Sequence, residues 1–247
     1  MTNAILVAGG HGSRLYPFTK YTQKTLLPLY DRPVIDYALG LIRRSGIKNI
    51  TIISNEHIGQ IARHVGSGLE GEKIHYVLEE EPQGVGHALN LARPYNQDCR
   101  ILVYFSDNIT TLELSDDVSR FNATEENPGC VLLAREEKNP EAFGVAVLDK
   151  DGKVCDIVEK PKTPPSNLAI GGIYLFDENF WPFLDSAREE QGDNFSISDI
   201  TRQYVKHGNA KLLSVGNETW VDCGTPESLL YASQMAKDGK LNPNPFR

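Results

Sequence analysis

Short apolar runs at residues 4–8, 50–54, 74–78 and 101–105 recur through the first half of the chain, separated by stretches in which apolar positions follow helical spacing. The clearest helical stretch sets Pro33 near its start, Val34, Ile35, Ala38, Leu41 and Ile42 on one face, and Gly46 at its end. One apolar face on such a helix implies a sheet beneath it. Further helices are predicted over 56–65, 84–92 and 114–123, and strands alternating with helices define a doubly wound α/β fold with a parallel sheet.

From Gly129 onward the pattern changes. Strand-like runs follow one another at 130–134, 144–148, 154–158 and 169–176, broken by Asp151-Gly152 and by the proline-rich stretch 161–165, so a β-rich insertion follows the α/β half. Helices return at 198–206 and 226–235, with strands at 211–215 and 219–221 between them. No linker or repeat interrupts the chain, which reads as a single domain over 1–241 with halves at about 1–128 and 129–241 and a frayed tail at 242–247.

Composition narrows the function classes. The 247 residues are 40% hydrophobic and 23% charged, an ordinary globular profile. A net charge of -8 offers no field to attract nucleic acid or an anionic membrane. No apolar run approaches the roughly 20 residues of a spanning helix, and the N-terminus runs into a strand with no basic leader, so the expected location is the cytoplasm. The cysteines Cys99, Cys130, Cys155 and Cys223 are too widely spaced for a zinc pattern and read as reduced, mostly packing residues.

The candidate chemistry begins directly after the first strand. In Ala8-Gly9-Gly10-His11-Gly12-Ser13-Arg14-Leu15 the glycines let backbone N–H groups approach a phosphate chain, and Arg14 adds a fork-shaped cation. The spacing fits neither a dinucleotide fingerprint nor a Walker A loop. Lys24, in Gln23-Lys24-Thr25-Leu26-Leu27-Pro28, is a single cation among apolar residues, suited to neutralising a phosphate whose charge grows during transfer. Asp107 follows the strand at 101–105 and Asp222 lies in Trp220-Val221-Asp222-Cys223-Gly224-Thr225. Strand ends are where α/β sheets place ligands, and one or two carboxylates with substrate phosphates make a Mg²⁺ site. Taken singly, each aspartate reads first as a cap or turn residue.

Together these segments resemble the sugar-1-phosphate nucleotidyltransferases: Leu6-Val7-Ala8-Gly9-Gly10-His11-Gly12-Ser13-Arg14-Leu15-Tyr16-Pro17, then Lys24-Thr25-Leu26-Leu27-Pro28. Ser106-Asp107-Asn108-Ile109, Phe143-Gly144-Val145, Glu159-Lys160-Pro161, Ile170-Gly171-Gly172-Ile173-Tyr174 and the Trp220–Thr225 segment are similar to the glucose-1-phosphate thymidylyltransferase branch. The resemblance implies a Rossmann-like doubly wound mixed sheet with an inserted β-rich sugar-binding lobe, the first half binding nucleotide and the second sugar. It implies that Ala8, Gly9, Gly10, Gly12, Ser13, Arg14, Glu79 and Gly84 bind nucleotide, with Arg14 and Lys24 catalytic. Asn108, Gly144, Glu159, Lys160 and Ile170 would bind sugar phosphate, and Asp107 and Asp222 would hold Mg²⁺. The implied reaction joins a nucleoside triphosphate, dTTP by the branch, to a sugar 1-phosphate, by default glucose 1-phosphate, releasing pyrophosphate. The implied enzyme is a homo-oligomer.

One position departs from that branch. Glu79 opens Glu79-Glu80-Glu81-Pro82-Gln83-Gly84 where the thymidylyltransferases carry Gln. A carboxylate can only accept hydrogen bonds, which suits the paired donors of guanine and opposes O4 of thymine. The run also resembles mannose-1-phosphate guanylyltransferases, so GTP stands beside dTTP. Gly171 stands where the branch commonly has Thr, which leaves the sugar open as well. Two other classes remain for comparison: a catalytically silent nucleotide-sugar-sensing subunit, opposed by the joint presence of Arg14, Lys24, Asp107 and Asp222, and a metal-dependent glycosyltransferase, opposed by the lack of an Asp-x-Asp triad at 106–108. No hexapeptide-repeat region follows residue 235, nor do the extra C-terminal helices of longer thymidylyltransferases.

Overall fold

The apolar runs become strands. In the computed structural model, which describes residues 1–123, 128–193 and 195–241, the chain runs β1 (Thr2–Val7), β2 (Pro28–Leu29), β3 (Arg32–Pro33), α1 (Val34–Arg44), β4 (Asn49–Ser54), α2 (Ile58–Val65) and β5 (Lys73–Leu78). It continues through α3 (Val85–Leu91), α4 (Arg93–Asn96), β6 (Arg100–Phe105), β7 (Asn108–Thr110), α5 (Ser115–Ala123), β8 (Cys130–Glu136), β9 (Gly144–Leu148), β10 (Val154–Glu159) and β11 (Leu168–Phe176). Then follow α6 (Phe180–Gln191), α7 (Ile197–Lys206), β12 (Ala210–Ser214), β13 (Trp220–Asp222) and α8 (Pro226–Lys237). The expected tail at 242–247 lies outside the described residues. The chain is α/β with a mostly parallel central sheet.

Two compact units divide the chain. The first comprises Asn3–Pro82, Tyr104–Ser119 and the residues from Asn217 onward. Its strands β1, β4 and β5 pair in parallel, with Ile5 opposite Thr51 and Ile52 opposite Tyr76. β1 and β4 are buried along almost their whole length, as parallel strands must be when helices cover both faces. α1 supplies such a cover through Val34, Ile35, Ala38, Leu41 and Ile42, all buried. β7 and β13 form a separate antiparallel ribbon. It packs in a core of Leu29, Val34, Ile109, Val221, Cys223, Ala232 and Met235, which anchors the strand that ends in Asp222 and the strand that Asp107 immediately precedes.

The second unit comprises Met1–Thr2, Gln83–Val103 and Arg120–Gly216. It holds the β-rich segment: β11 lies antiparallel to both β8 and β9, β10 lies antiparallel to β9, and β12 lies parallel to β8. The β8–β11 register shifts between Ile170 and Tyr174, across Gly171-Gly172. Such an irregularity bends a strand and re-aims its side chains.

The sequence reading overlooks α6. Its first turn, Phe180-Trp181-Pro182, carries aromatics and a proline, all poor helix signals. Pro182 is nevertheless tolerated because a first-turn N–H has no helical acceptor to lose. The tilted and edge-on contacts of Phe176, Phe180, Trp181, Phe183 and Tyr204 then fix the helix by packing. The predicted helix at 84–92 is also shorter, α3 ending at Leu91 before the one-turn α4.

Candidate active site

The nucleotide side of the expected site gathers in the first unit. β1 ends at Val7, and Ala8-Gly9-Gly10 leaves it as an extended loop. Gln23, almost fully buried, braces this loop: Nε2 donates to the Ala8 carbonyl and to Ser54 Oγ at 3.2 Å, while Oε1 accepts from the Lys24 amide at 2.5 Å. Asn55 Nδ2 donates to the Gly9 carbonyl at 3.1 Å, and Thr19 Oγ1 donates to the Gly12 carbonyl at 2.7 Å. These bonds consume the carbonyls of Ala8, Gly9 and Gly12. Gly12 adopts φ +62, a left-handed conformation that glycine takes without the steric cost of a Cβ.

Lys24 stands beside this loop, its Nζ 3.1 Å from where a Cβ on Gly10 would lie. It forms an ion pair with Asp107 Oδ2, both side chains being about 15% exposed (15% and 14%). Asp107 follows β6 in a turn whose Ser106 Oγ donates to the Val7 carbonyl at 2.9 Å. Its partner strand brings in Asp222. In the β7–β13 ribbon Asp222 lies opposite Asn108, and the Cys223 amide donates to the Asp107 carbonyl at 2.8 Å. Arg14 completes the group, since a Cβ on Gly224 would meet its guanidinium at 2.5 Å and Asp222 Oδ1 at 2.7 Å.

The electrostatics follow from this crowding. Asp222 is raised above the ordinary aspartate range by burial and by the neighbouring Asp107 charge, against the pull of Lys24 and Arg14. Two carboxylates close enough to oppose each other's ionisation form a donor set that fits a hard divalent cation. Among the described residues no cluster of three or more His, Cys, Asp or Glu forms a metal cage. A cation there requires further oxygen ligands, such as phosphates and water.

Asn108 is placed differently from a free phosphate ligand. Its Nδ2 donates to Asp107 Oδ1 at 2.9 Å and to the Phe105 carbonyl at 3.3 Å, and its Oδ1 accepts from Trp220 Nε1 at 2.7 Å. It orients Asp107 and ties the turn to β13. Glu79, just after β5, is 4% exposed, and its Oε2 lies 2.7 Å from where a Cβ on Gly9 would sit. A buried carboxylate thus borders the glycine loop. Ser13 is exposed at the start of a short 3₁₀ turn that continues through Arg14 to Leu15.

The remaining expected residues lie in the second unit. Gly84 precedes α3 with φ +103. In the sheet Gly144 pairs with Glu159 of β10 on one side and with Ile170 of β11 on the other, so the three occupy one row across three strands. Lys160 follows at φ +42, a left-handed conformation unusual before a proline, and its amide donates to the Phe143 carbonyl at 3.0 Å. Its Nζ lies 3.5 Å from Glu159 Oε1. Sequence reasoning missed Gln23 and Trp220 as braces although it quoted both inside motifs, because a bracing role depends on partners distant in sequence. His11 is exposed, and the buried thiols Cys130 and Cys223 are pushed well above the ordinary thiol range by burial, whereas Cys155 is exposed.

An α/β fold with a braced glycine loop, two placed cations and two opposed carboxylates is the framework of a protein that handles phosphate chains. The family model described as nucleotidyl transferase matches residues 3–239. A glucose-1-phosphate thymidylyltransferase of Xanthomonas campestris pv. campestris (strain B100) is 34% identical over 233 residues, which is 93% of this chain and 78% of that one. A Bacillus anthracis crystal structure, provisionally named a glucose-1-phosphate thymidylyltransferase and solved with a sucrose, superposes with a TM-score of 0.89 at 32% identity, covering 99% of this chain and 98% of that one. A UDP-glucose pyrophosphorylase complexed with UDP-glucose shares the fold, with a TM-score of 0.84 at 21% identity over 97% of this chain and 100% of that one. The chain belongs to the nucleotidyl transferase family, as an enzyme of the sugar-1-phosphate nucleotidyltransferase class.

Proposed function

We propose that the protein joins dTTP to α-D-glucose 1-phosphate, giving dTDP-glucose and pyrophosphate. The observation that carries this reading is the convergence of Arg14, Lys24, Asp107 and Asp222 on the glycine loop within one unit. The thymidylyltransferase relatives supply the choice of base and sugar.

The chemistry needs no protein nucleophile. An oxygen of the sugar phosphate attacks the α-phosphorus of the triphosphate, a new P–O bond forms there, and the bond to the β-phosphate oxygen breaks to release pyrophosphate. Both reactants are anions, so the protein's task is to align them and offset their repulsion. Ala8, Gly9, Gly10, Gly12 and Ser13 present the loop to the triphosphate, and Arg14 and Lys24 place positive charge where phosphate charge grows. Asp107 and Asp222 would hold Mg²⁺, which would add further charge neutralisation at the phosphates. In the second unit Glu159 accepts from sugar hydroxyls, Lys160 meets the sugar phosphate, and Gly144 and Ile170 line the pocket. Asn108 joins the sugar-phosphate contacts while its amide orients Asp107. The nucleotide-binding and sugar-binding roles are thereby proposed for residues in about 1–128 and 129–241, with 220–225 returning to the nucleotide side. We place the enzyme in the cytoplasm, where nucleoside triphosphates are made, as a homo-oligomer without nucleic-acid or membrane partners.

GTP is the second reading, favoured by Glu79. Its buried side chain beside Gly9 is a carboxylate, which accepts and cannot donate hydrogen bonds and so matches guanine N1 and N2 donors. One experiment separates the readings: pyrophosphate release with dTTP, UTP, GTP, CTP or ATP against a set of sugar 1-phosphates in Mg²⁺. The expected result is highest kcat/KM for dTTP with glucose 1-phosphate. A higher value for GTP selects the guanylyl reading, and no turnover across the matrix overturns catalysis.

A further inference from the structure

We infer that Ser198, at the N-terminal end of α7, is a positioning residue that holds the Glu159 carboxylate for sugar binding. The inference rests on the reading of Glu159 as a sugar-contacting group and adds a residue to it.

Ser198 Oγ donates to Glu159 Oε2 at 2.5 Å, and the serine is only 4% exposed. Glu159 itself remains about a third open, at 34% of its side chain. One carboxylate oxygen is therefore tied to a buried donor while Oε1 faces the Lys160 ammonium at 3.5 Å. A carboxylate free to rotate about its last torsion would present either oxygen in many directions. One held by a charge-assisted hydrogen bond presents the other oxygen in one direction.

The surroundings are built for this contact. α7 opens with a capping box in which Ser196 and Asp199 satisfy each other's amides, fixing where the first turn begins. Arg202, one turn after Ser198 and on the same face, donates from Nη2 to the Ile157 carbonyl at 2.7 Å and from Nε to the same oxygen at 3.1 Å. It also bonds Asp199 Oδ1 at 2.9 Å. Arg202 thus clamps α7 to β10 two residues before Glu159, which sets the distance that the Ser198 bond spans. The helix N-terminus also favours the Glu159 negative charge. Gly144, opposite Glu159 in the sheet, leaves the space: a Cβ there would stand 3.0 Å from Ser198 Oγ and 3.4 Å from Glu159 Oε2.

The test measures steady-state pyrophosphate release with dTTP and α-D-glucose 1-phosphate for the wild type, Ser198→Ala, Glu159→Gln and the double variant. A hydrogen bond to a charged group corresponds to roughly a tenfold effect. Ser198→Ala is expected to raise KM for glucose 1-phosphate by about that factor, with KM for dTTP and kcat within about twofold. In the Glu159→Gln background it should add little, because its partner's charge is already gone. General loosening of the fold would move both KM values and kcat together. If Glu159→Gln raises the sugar KM and Ser198→Ala does not, Ser198 has no positioning role while the Glu159 reading stands. If Glu159→Gln leaves the sugar KM unchanged, that reading falls and the inference falls with it.

Discussion

Asp222, proposed as a metal ligand, carries its charge at the expense of the unliganded fold. Burial and the Asp107 charge raise its pKa, so its ionised form is less favourable in the folded protein than in the unfolded chain. The sign follows directly. Above the raised folded value the charge destabilises the fold; below the ordinary aspartate value the carboxyl is neutral in both states and the effect vanishes. Asp222→Asn is therefore expected to leave the metal-free protein as stable as the wild type or more so at pH 7.5, with the difference shrinking as pH falls through the raised value. The same variant should lose at least a hundredfold in kcat, on the order of the larger electrostatic contributions to catalysis. Thermal melts of the metal-free proteins across pH, beside pyrophosphate release, check both parts. A less stable variant with near-normal turnover would assign Asp222 a structural role instead.

At the level of elements, legibility depended on whether an element's reason was local. The buried strands and α1 were readable from apolar spacing alone, because burial on both faces or on one helical face writes itself into consecutive residues. α6 was not readable, since its aromatics are held by partners such as Tyr204 that lie far along the chain. The site divides in the same way. Its glycines, Lys24 and aspartates stood in recognisable strings, whereas Gln23, Ser198 and Arg202 act through contacts formed only on folding. Gly86 in α3 is a similar case. A glycine inside a helix costs about 1 kcal/mol relative to alanine, so sequence alone recommends Gly86→Ala. The Phe195 ring occupies the space a Cβ would take, and overpacking a filled site costs about 1–3 kcal/mol. The balance favours net destabilisation by up to about 2 kcal/mol, read as a lower urea midpoint at unchanged slope. A midpoint that rises would show that the ring moves aside freely.

Across the whole molecule, an acidic chain with net charge -8 must bind polyanionic substrates, and it does not rely on its overall field. On the proposed reading local placement supplies the attraction, through Arg14 and Lys24 against the loop and a cation that Asp107 and Asp222 would hold. The carboxylates alone are an incomplete ligand set among the described residues, and a triphosphate alone meets their negative charge. Mg²⁺ and dTTP should therefore stabilise the protein together far more than either does separately. Ligand at a hundred times its Kd contributes about 2.7 kcal/mol. For a chain of this length that corresponds to a Tm rise of roughly 5–10 °C. Differential scanning fluorimetry with Mg²⁺, dTTP, and both gives the comparison, and Asp222→Asn should abolish the joint shift. Hydrogen exchange locates it: protection by Mg²⁺ with dTTP is expected at residues 8–15, 106–110 and 220–225. An equal shift with dTTP alone would mean that the nucleotide binds without the two carboxylates acting as metal ligands, leaving Arg14 and Lys24 to carry the triphosphate.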